Sequence, residues 1–330
     1  MEEKAKMSLK TKRAYKYSKY LQALINHRCL RALTDQTKIR SLQPKVKEPI
    51  MANHLTTQEK ALVLSLLTEG NSLRTISRVS GIARNTISKL LLDAGEQARE
   101  MLDREMVNLQ VSRLQVDEIW TFVAKKQKRV RENDSPECGD QYVFVALDAD
   151  TKLVPTFRVG KRTGEIARSF MSELATRINT RFQLTTDAFR PYVDAVDYAF
   201  GTEIDYGMLH KQYGEETKED RRRYSPAQII AINKKVITGS PRRKHISTSY
   251  IERQNLTMRM QLRRFTRLTN AFSKSLKHLE AALALHFWHY NYMRLHETLR
   301  VTPAMEAGIS KHLWTWEEFL GWEMEEKKAA

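Results

Sequence analysis

Cysteine is scarce in this 330-residue chain. There are two, Cys29 and Cys138, far apart and in no paired spacing. That argues against a disulfide framework and against a cysteine zinc site, and it fits a reducing setting. Long hydrophobic runs are missing as well. No stretch approaches the ~18 consecutive apolar residues that a membrane helix needs. The longest runs, near Tyr142–Leu147 and Ala281–Leu285, suit a strand and a helix segment. The first residues, MEEKAKMSLKTKR, have no apolar core of the secretory kind. No internal repeat is apparent. These absences lead us to expect a cytoplasmic protein with no membrane partner.

What the chain does have is positive charge. Lys and Arg number 56 against 39 acids, a net +17. Such a balance points to a polyanion, most often nucleic acid, unless the charge serves solubility alone. A hydrophobic fraction of 41% supplies packed cores, and the length suggests about two domains at roughly 100–200 residues each. Residues 1–50 hold thirteen Lys or Arg and four acids, so 13 − 4 = +9 of the +17 lies there. Pro44 and Pro49 punctuate its end, and Met51 follows. This segment reads either as a basic DNA-contacting arm or as an extension that precedes a true start at Met51.

From Thr56 the pattern is helical. Thr56 or Thr57 can cap a helix with Glu59 completing a capping box. ALVLSLL (Ala61–Leu67) supplies its buried face and Gly70 ends it. Leu73, Ile76 and Val79 mark a second short helix stopped by Gly81; Ile82, Ile87, Leu90 and Leu91 mark a third, ending at Gly95. Three short helices with a glycine turn make a helix-turn-helix, or else a plain helical hairpin. The third helix would carry Arg84, Asn85, Thr86, Ser88 and Lys89 outward, side chains that reach base edges and phosphates.

Beyond about Gln110 the periodicity changes. Leu114–Ala124, Gln141–Asp150 and Phe182–Phe189 read as strands rich in β-branched and aromatic residues, with Leu153–Gly160 a hairpin partner. Gly164–Ile178 is an amphipathic helix, and Pro191 opens another. A last strand, IDYGMLHKQYG, precedes a basic stretch over residues 214–246, read as a loop or insertion along a nucleic-acid path or as a solvated face. From Ser247 the chain is strongly helical. His286, His289 and His296 lie there among Phe287, Trp288 and Tyr290, where core packing is the better reading than metal binding.

Three acids stand out. Asp117 sits inside an otherwise apolar strand, where an unpaired charge is costly. Asp187 ends a second strand, and Glu252 opens a long helix. Asp148 and Asp150 look like turn chemistry; Asp194 and Asp197 lie on the helix after Asp187. Glu118 points to the opposite strand face from Asp117 by simple alternation. Glu252, Asn255, Arg259 and Arg263 form one polar helical stripe, opposite Ile251, Met258, Leu262 and Phe265. Few carboxylates on a rigid scaffold are what two divalent cations need in phosphoryl transfer between DNA ends.

VDEIW around Asp117, TTDAFRPY around Asp187 and SYIERQN around Glu252, followed by HYNYMRLHETLRVTPAMEAG, resemble the DDE transposases of bacterial insertion sequences. The likeness is greatest to the first-described insertion-sequence family and covers roughly Thr56 to Gly308. It implies an α/β fold: a ribonuclease-H-like mixed sheet flanked by helices, preceded by an all-α helix-turn-helix domain. It also implies Asp117, Asp187 and Glu252 as ligands of Mg²⁺, with Mn²⁺ substituting, and cleavage and strand transfer at terminal inverted repeats. Double-stranded DNA, both element ends and target, would be the partner, with a homo-oligomer in the DNA complex. Arg84, Asn85, Thr86, Ser88, Lys89, Asn255, Arg259 and Arg263 would contact that DNA. The expected layout is a basic extension at 1–50, helix-turn-helix at 51–100, catalytic domain at 110–268 and C-terminal helices at 269–330. Some relatives carry an N-terminal cysteine zinc finger, which this chain lacks. A helix-turn-helix regulator that has lost catalysis, and an integrase or nuclease of the same fold, are the competing functions.

Overall fold

The first helix, α1 (Thr57–Thr68), starts where the sequence asks for it. Thr56 Oγ1 accepts from the Glu59 amide at 3.2 Å, and Glu59 Oε2 accepts from the Thr56 amide at 2.9 Å. Ser72 caps α2 (Leu73–Ser80), which Gly81 ends in the left-handed conformation at φ +74. Helix α3 then runs from Arg84 to Glu105. The computed structural model describes residues 54–214, 228–266 and 269–329, with side chains to 322. The expected basic extension at 1–50 lies outside the described residues.

The expected stop of the third helix at Gly95 is corrected: that glycine is in mid-helix. A Cβ there would come within 2.5 Å of Cα and Cβ of Ala281. Gly95 is thus the contact point at which α3 lies down on α7 (Leu276–Tyr292), burying Ile87, Leu91, Ala94, Ala98 and Met101. A short α8 (Pro303–Glu306) and a final α9 (Trp316–Ala329) close the chain, with Phe319 of α9 packed 4.3 Å from the Trp288 ring.

The sheet has six strands in the order β3-β2-β1-β4-β5-β6. Strands β1 (Arg113–Val123), β2 (Gly139–Asp148) and β3 (Phe157–Gly160) form an antiparallel meander. Strands β4 (Gln183–Thr186) and β5 (Asp205–Tyr213) join it in parallel through α4 (Gly164–Arg177) and α5 (Pro191–Phe200). Parallel neighbours need such helical crossovers, and here they bury Phe144, Phe170 and Tyr192 against the sheet. This is a ribonuclease-H-like mixed α/β sheet flanked by helices, as the sequence led us to expect.

Strand β6 (Ile229–Thr238) was not expected. It pairs antiparallel with β5, inside the basic stretch read as a loop. Its alternation is hidden by Lys234 and Lys235, and its apolar side chains Ile230 and Ile232 are exposed rather than buried. Helix α6 (Ser249–Gln261) follows and packs on β1 and β2. Among the described residues no helix is long and apolar enough to cross a membrane.

Candidate active site

Strand β1 outruns β4. Their parallel register ends at Val116 opposite Thr186, so the next step along both chains sets Asp117 beside Asp187. Past Val116 the open edge of β1 meets strand-like backbone again where Ser273 bridges Val123. Into that gap the sheet delivers acids. One carboxylate oxygen each of Asp117, Glu118 and Asp187 lie within 4.8 Å of one another.

Glu118 is the surprise, since alternation sends it to the other face. Alternation holds along β1, but Asp187 stands past the end of β4, level with the open strand edge and within reach of carboxylates from either face. The Glu118 side chain is 3% exposed; among the described residues its Oε1 has no hydrogen bond of ordinary geometry, and the buried Tyr192 hydroxyl beside it favours its charged form. Arg162, just after β3, holds the pair together from outside. Its Nη2 is 3.4 Å from Glu118 Oε2 and 3.6 Å from Asp187 Oδ2, and its guanidinium lies 4.0 Å from the centre of the Phe189 ring.

Helix α6 comes to the site through Gln115. Thr248 gives α6 no side-chain cap, but the buried Gln115 Oε1 accepts from the amides of Tyr250 at 2.9 Å and Ile251 at 3.1 Å. That contact lays Asn255 over β1, where its Nδ2 donates to Asp117 Oδ2 at 2.9 Å. Glu252 sits one turn earlier. It is turned towards Lys211 of β5, with which it forms an ion pair, and accepts from Thr248 Oγ1 at 2.5 Å. Its side chain is 43% exposed and outside the close trio, although its charge reaches Asp117.

Burial, and then the charge of Asp187, push Asp117 up to about 7, against the Glu118 amide that donates to it; Glu252 adds to the rise. Burial and Asp187 likewise push Glu118 up to about 7. Like charges crowded out of water oppose ionisation, and a divalent cation among them reverses that balance. Glu118 Oε1, buried and short of donors inside the cluster, is an oxygen that a cation satisfies. The donor set is all oxygen, as Mg²⁺ or Mn²⁺ requires.

No protein-family model matches the sequence, and no curated protein matches it. Among solved structures the chain is similar to the piggyBac transposase synaptic complex with hairpin DNA. There the identity is 12% and the TM-score 0.36, over 80% of this chain and 68% of that one. It is similar to the Mos1 transposase paired-end complex with left transposon end at 12% and 0.18, over 46% of this chain and 60% of that one. With the Mos1 Strand Transfer Complex the figures are 11% and 0.22, over 74% and 80%. Likenesses this weak carry no functional argument.

The remaining expected residues fall in three groups. Arg84, Asn85 and Lys89 are exposed at the start of α3, as an outward face requires. Thr86 and Ser88 are half-buried, and Ser88 Oγ is bonded at 2.9 Å to His278 of α7, which makes it a packing residue. The polar stripe on α6 is interrupted: Asn255 is buried on Asp117, Arg259 is half-buried, and Arg263 lies beyond the helix end in a tight turn. Of the rival acids, Asp194 and Asp197 are exposed on α5, and Asp148 and Asp150 are otherwise engaged. Asp148 accepts from the Asp150 amide and Thr151 Oγ1, and Asp150 pairs with Arg113. His286 is buried in the core, and His289 is half-buried at its edge, stacked on Trp316 at 5.7 Å. Arg162 and Lys211 left no mark in the sequence; only the fold brings them in.

Proposed function

We propose that the chain is a DDE-type DNA transposase of the bacterial insertion-sequence kind, binding terminal inverted repeats and catalysing metal-dependent strand cleavage and transfer. The observation that carries this is the meeting of Asp117 and Asp187, 187 − 117 = 70 residues apart in sequence, at the open edge between β1 and β4. A turn-forming aspartate has no reason to be met there by two buried carboxylates.

Asp117, Glu118 and Asp187 would hold a divalent cation, Mg²⁺ or Mn²⁺, and Glu252 would join on exchanging Lys211 for it. When bound, such cations neutralise charge on the attacking and leaving oxygens of a phosphodiester. The protein's own residues do the rest. Asn255 orients Asp117, Gln115 anchors the helix that carries Asn255 and Glu252, and Arg162 offsets charge on Glu118 and Asp187. Arg84, Asn85 and Lys89 would meet duplex DNA, Arg263 its backbone, and several copies would assemble on paired ends. The test is to incubate the protein with Mg²⁺ and labelled DNA carrying candidate element ends. Nicking and joining are expected. Binding without nicking would favour the regulator, and nicking without end specificity a nuclease of the same fold.

A further inference from the structure

A groove of about 1080 Å³ lies between the three-helix array and the segment that leaves α6. Arg74, Arg84, Arg263, Arg264 and Lys274 line it, and among the described residues no Asp or Glu does. A face kept basic for solubility interleaves acids with its cations, whereas five cations without an acid suit a polyanion. Arg264 is the clearest of them. Burial brings it down to about 10, among the described residues no acid offsets that, and its guanidinium donates to Ser273 Oγ at 3.0 Å. The floor between the cations is apolar, with Leu67, Leu91, Leu262 and Leu285.

An aromatic row joins this groove to the carboxylates. Trp120, Phe122 and Phe272 are in sequence of contact, ring centres 5.7 and 4.6 Å apart. Lys274 Nζ stands 3.4 Å from the centre of the Phe272 ring. The bridge of Ser273 to Val123 is what brings Phe272 alongside Phe122. Glu118, Trp120 and Phe122 share one face of β1 by alternation, and Trp120 is 36% exposed. At the far end Phe272 and Lys274 border the groove.

We propose that row and groove are the track of an unpaired DNA strand, which leaves the carboxylates with its bases on Trp120, Phe122 and Phe272 and its phosphodiesters on Arg74, Arg264 and Lys274. A duplex keeps its base faces covered and gains nothing from an aromatic floor. An unpaired strand offers both base faces and phosphates, and aromatic rings within a basic groove are how such strands are held. The assignment rests on DNA being the substrate.

The test follows the tryptophan fluorescence of the full-length protein, without metal, as oligo(dT) or a duplex of equal length is added. Oligo(dT) should quench the signal, and Trp120→Phe should lose most of that quench. Phe272→Leu keeps apolar bulk against Phe122 and should weaken oligo(dT) binding about tenfold, the scale of one base–aromatic stack, with duplex binding unchanged. Lys274→Gln, at an exposed position that cannot unfold the chain, should flatten the salt dependence of oligo(dT) binding by about one phosphate contact. The track is overturned if both variants bind oligo(dT) as the parent does, or if they lose duplex binding equally. A protein that never cleaves DNA yet binds oligo(dT) through these residues would refute the proposed activity and leave the track standing; cleavage with oligo(dT) binding indifferent to them would do the reverse.

Discussion

Replacing Asp117 with Asn should make the metal-free protein more stable at pH 8, against the usual cost of altering a half-buried site. Burial and the charge of Asp187 raise Asp117 from 3.8 to about 7. Between those values the folded protein keeps a proton that the unfolded chain has released. Stability is therefore whole below about pH 4 and falls as pH rises towards 7. At about 1.36 kcal/mol per pH unit the full penalty is at most about 4 kcal/mol. The introduced amide is a poorer acceptor for the Glu118 and Asn255 N–H groups, so a net gain of about 1–3 kcal/mol is expected. At roughly 2.1 cal/mol/K of unfolding entropy per residue, each kcal/mol moves Tm by about 1.5 °C in a chain of this size, so the variant should melt roughly 1–5 °C higher at pH 8. At pH 5 the advantage should nearly vanish. Divalent cations invert the order: at 100 times Kd they stabilise the parent by about 2.7 kcal/mol and the variant much less. Differential scanning calorimetry at both pH values, with and without Mg²⁺, reads all four cases. A variant that melts lower at pH 8 without metal, or a parent indifferent to Mg²⁺ and Mn²⁺, would refute the crowding of acids on which the site rests.

Other expectations concern packing, acid stability and DNA contact. Gly95→Ala should destabilise the protein by about 1–3 kcal/mol, because the new Cβ meets Ala281 at 2.5 Å and overpacking exceeds the ~1 kcal/mol helix gain; a urea midpoint at or above the parent's would show that α3 and α7 do not touch there. Burial lowers His289 to about 4, so its contribution is whole above pH 6.5 and is lost as the unfolded chain takes up protons below it. Between pH 7 and pH 5 the parent should therefore lose about 2 kcal/mol more than His289→Phe, and equal losses would place that ring in water. Arg84→Ala and Asn85→Ala should each weaken binding to element ends by ~1–3 kcal/mol while random DNA changes less. Ser88→Ala should leave binding alone and lower only the melting temperature, since its hydroxyl is on His278; a Ser88 effect equal to that of Arg84 would put the recognition face elsewhere.

The sequence was readable where a rule is local. Thr56 and Glu59 are one turn apart and cap α1 in the expected way. Strands β1, β2 and β4 follow from β-branched and aromatic runs, and the apolar stripe Ile251, Met258, Leu262 and Phe265 is buried to its last member. It misled where the deciding partner is distant. Gly95 looks like a helix stop until Ala281 arrives from α7, 281 − 95 = 186 residues on. Strand β6 carries lysines and exposed isoleucines because it is an edge, paired on one side by β5, and so lacks the buried alternation that marks an inner strand. Asp117 was legible as an acid in a costly place, and Asp187 as an acid at the end of a strand. Glu118 was not, because two-face alternation ignores a neighbouring strand that ends early. The pairing of Glu252 with Lys211 depends on β5 reaching α6, which no spacing along the chain encodes.

The most direct test of the central claim is strand cleavage and joining by carboxylate variants, measured on labelled element-end DNA with Mg²⁺. DNA binding and melting temperature are taken on the same preparations. Asp117→Asn, Asp187→Asn and Glu252→Gln should each abolish cleavage yet bind DNA and stay folded. Glu118→Gln removes one of the three carboxylates proposed to hold the cation and should abolish cleavage as well. Asp197→Asn, an exposed acid on α5, should cleave like the parent. Folded Asp117→Asn that cleaves normally, or Asp197→Asn that does not, would contradict the assignment of the site.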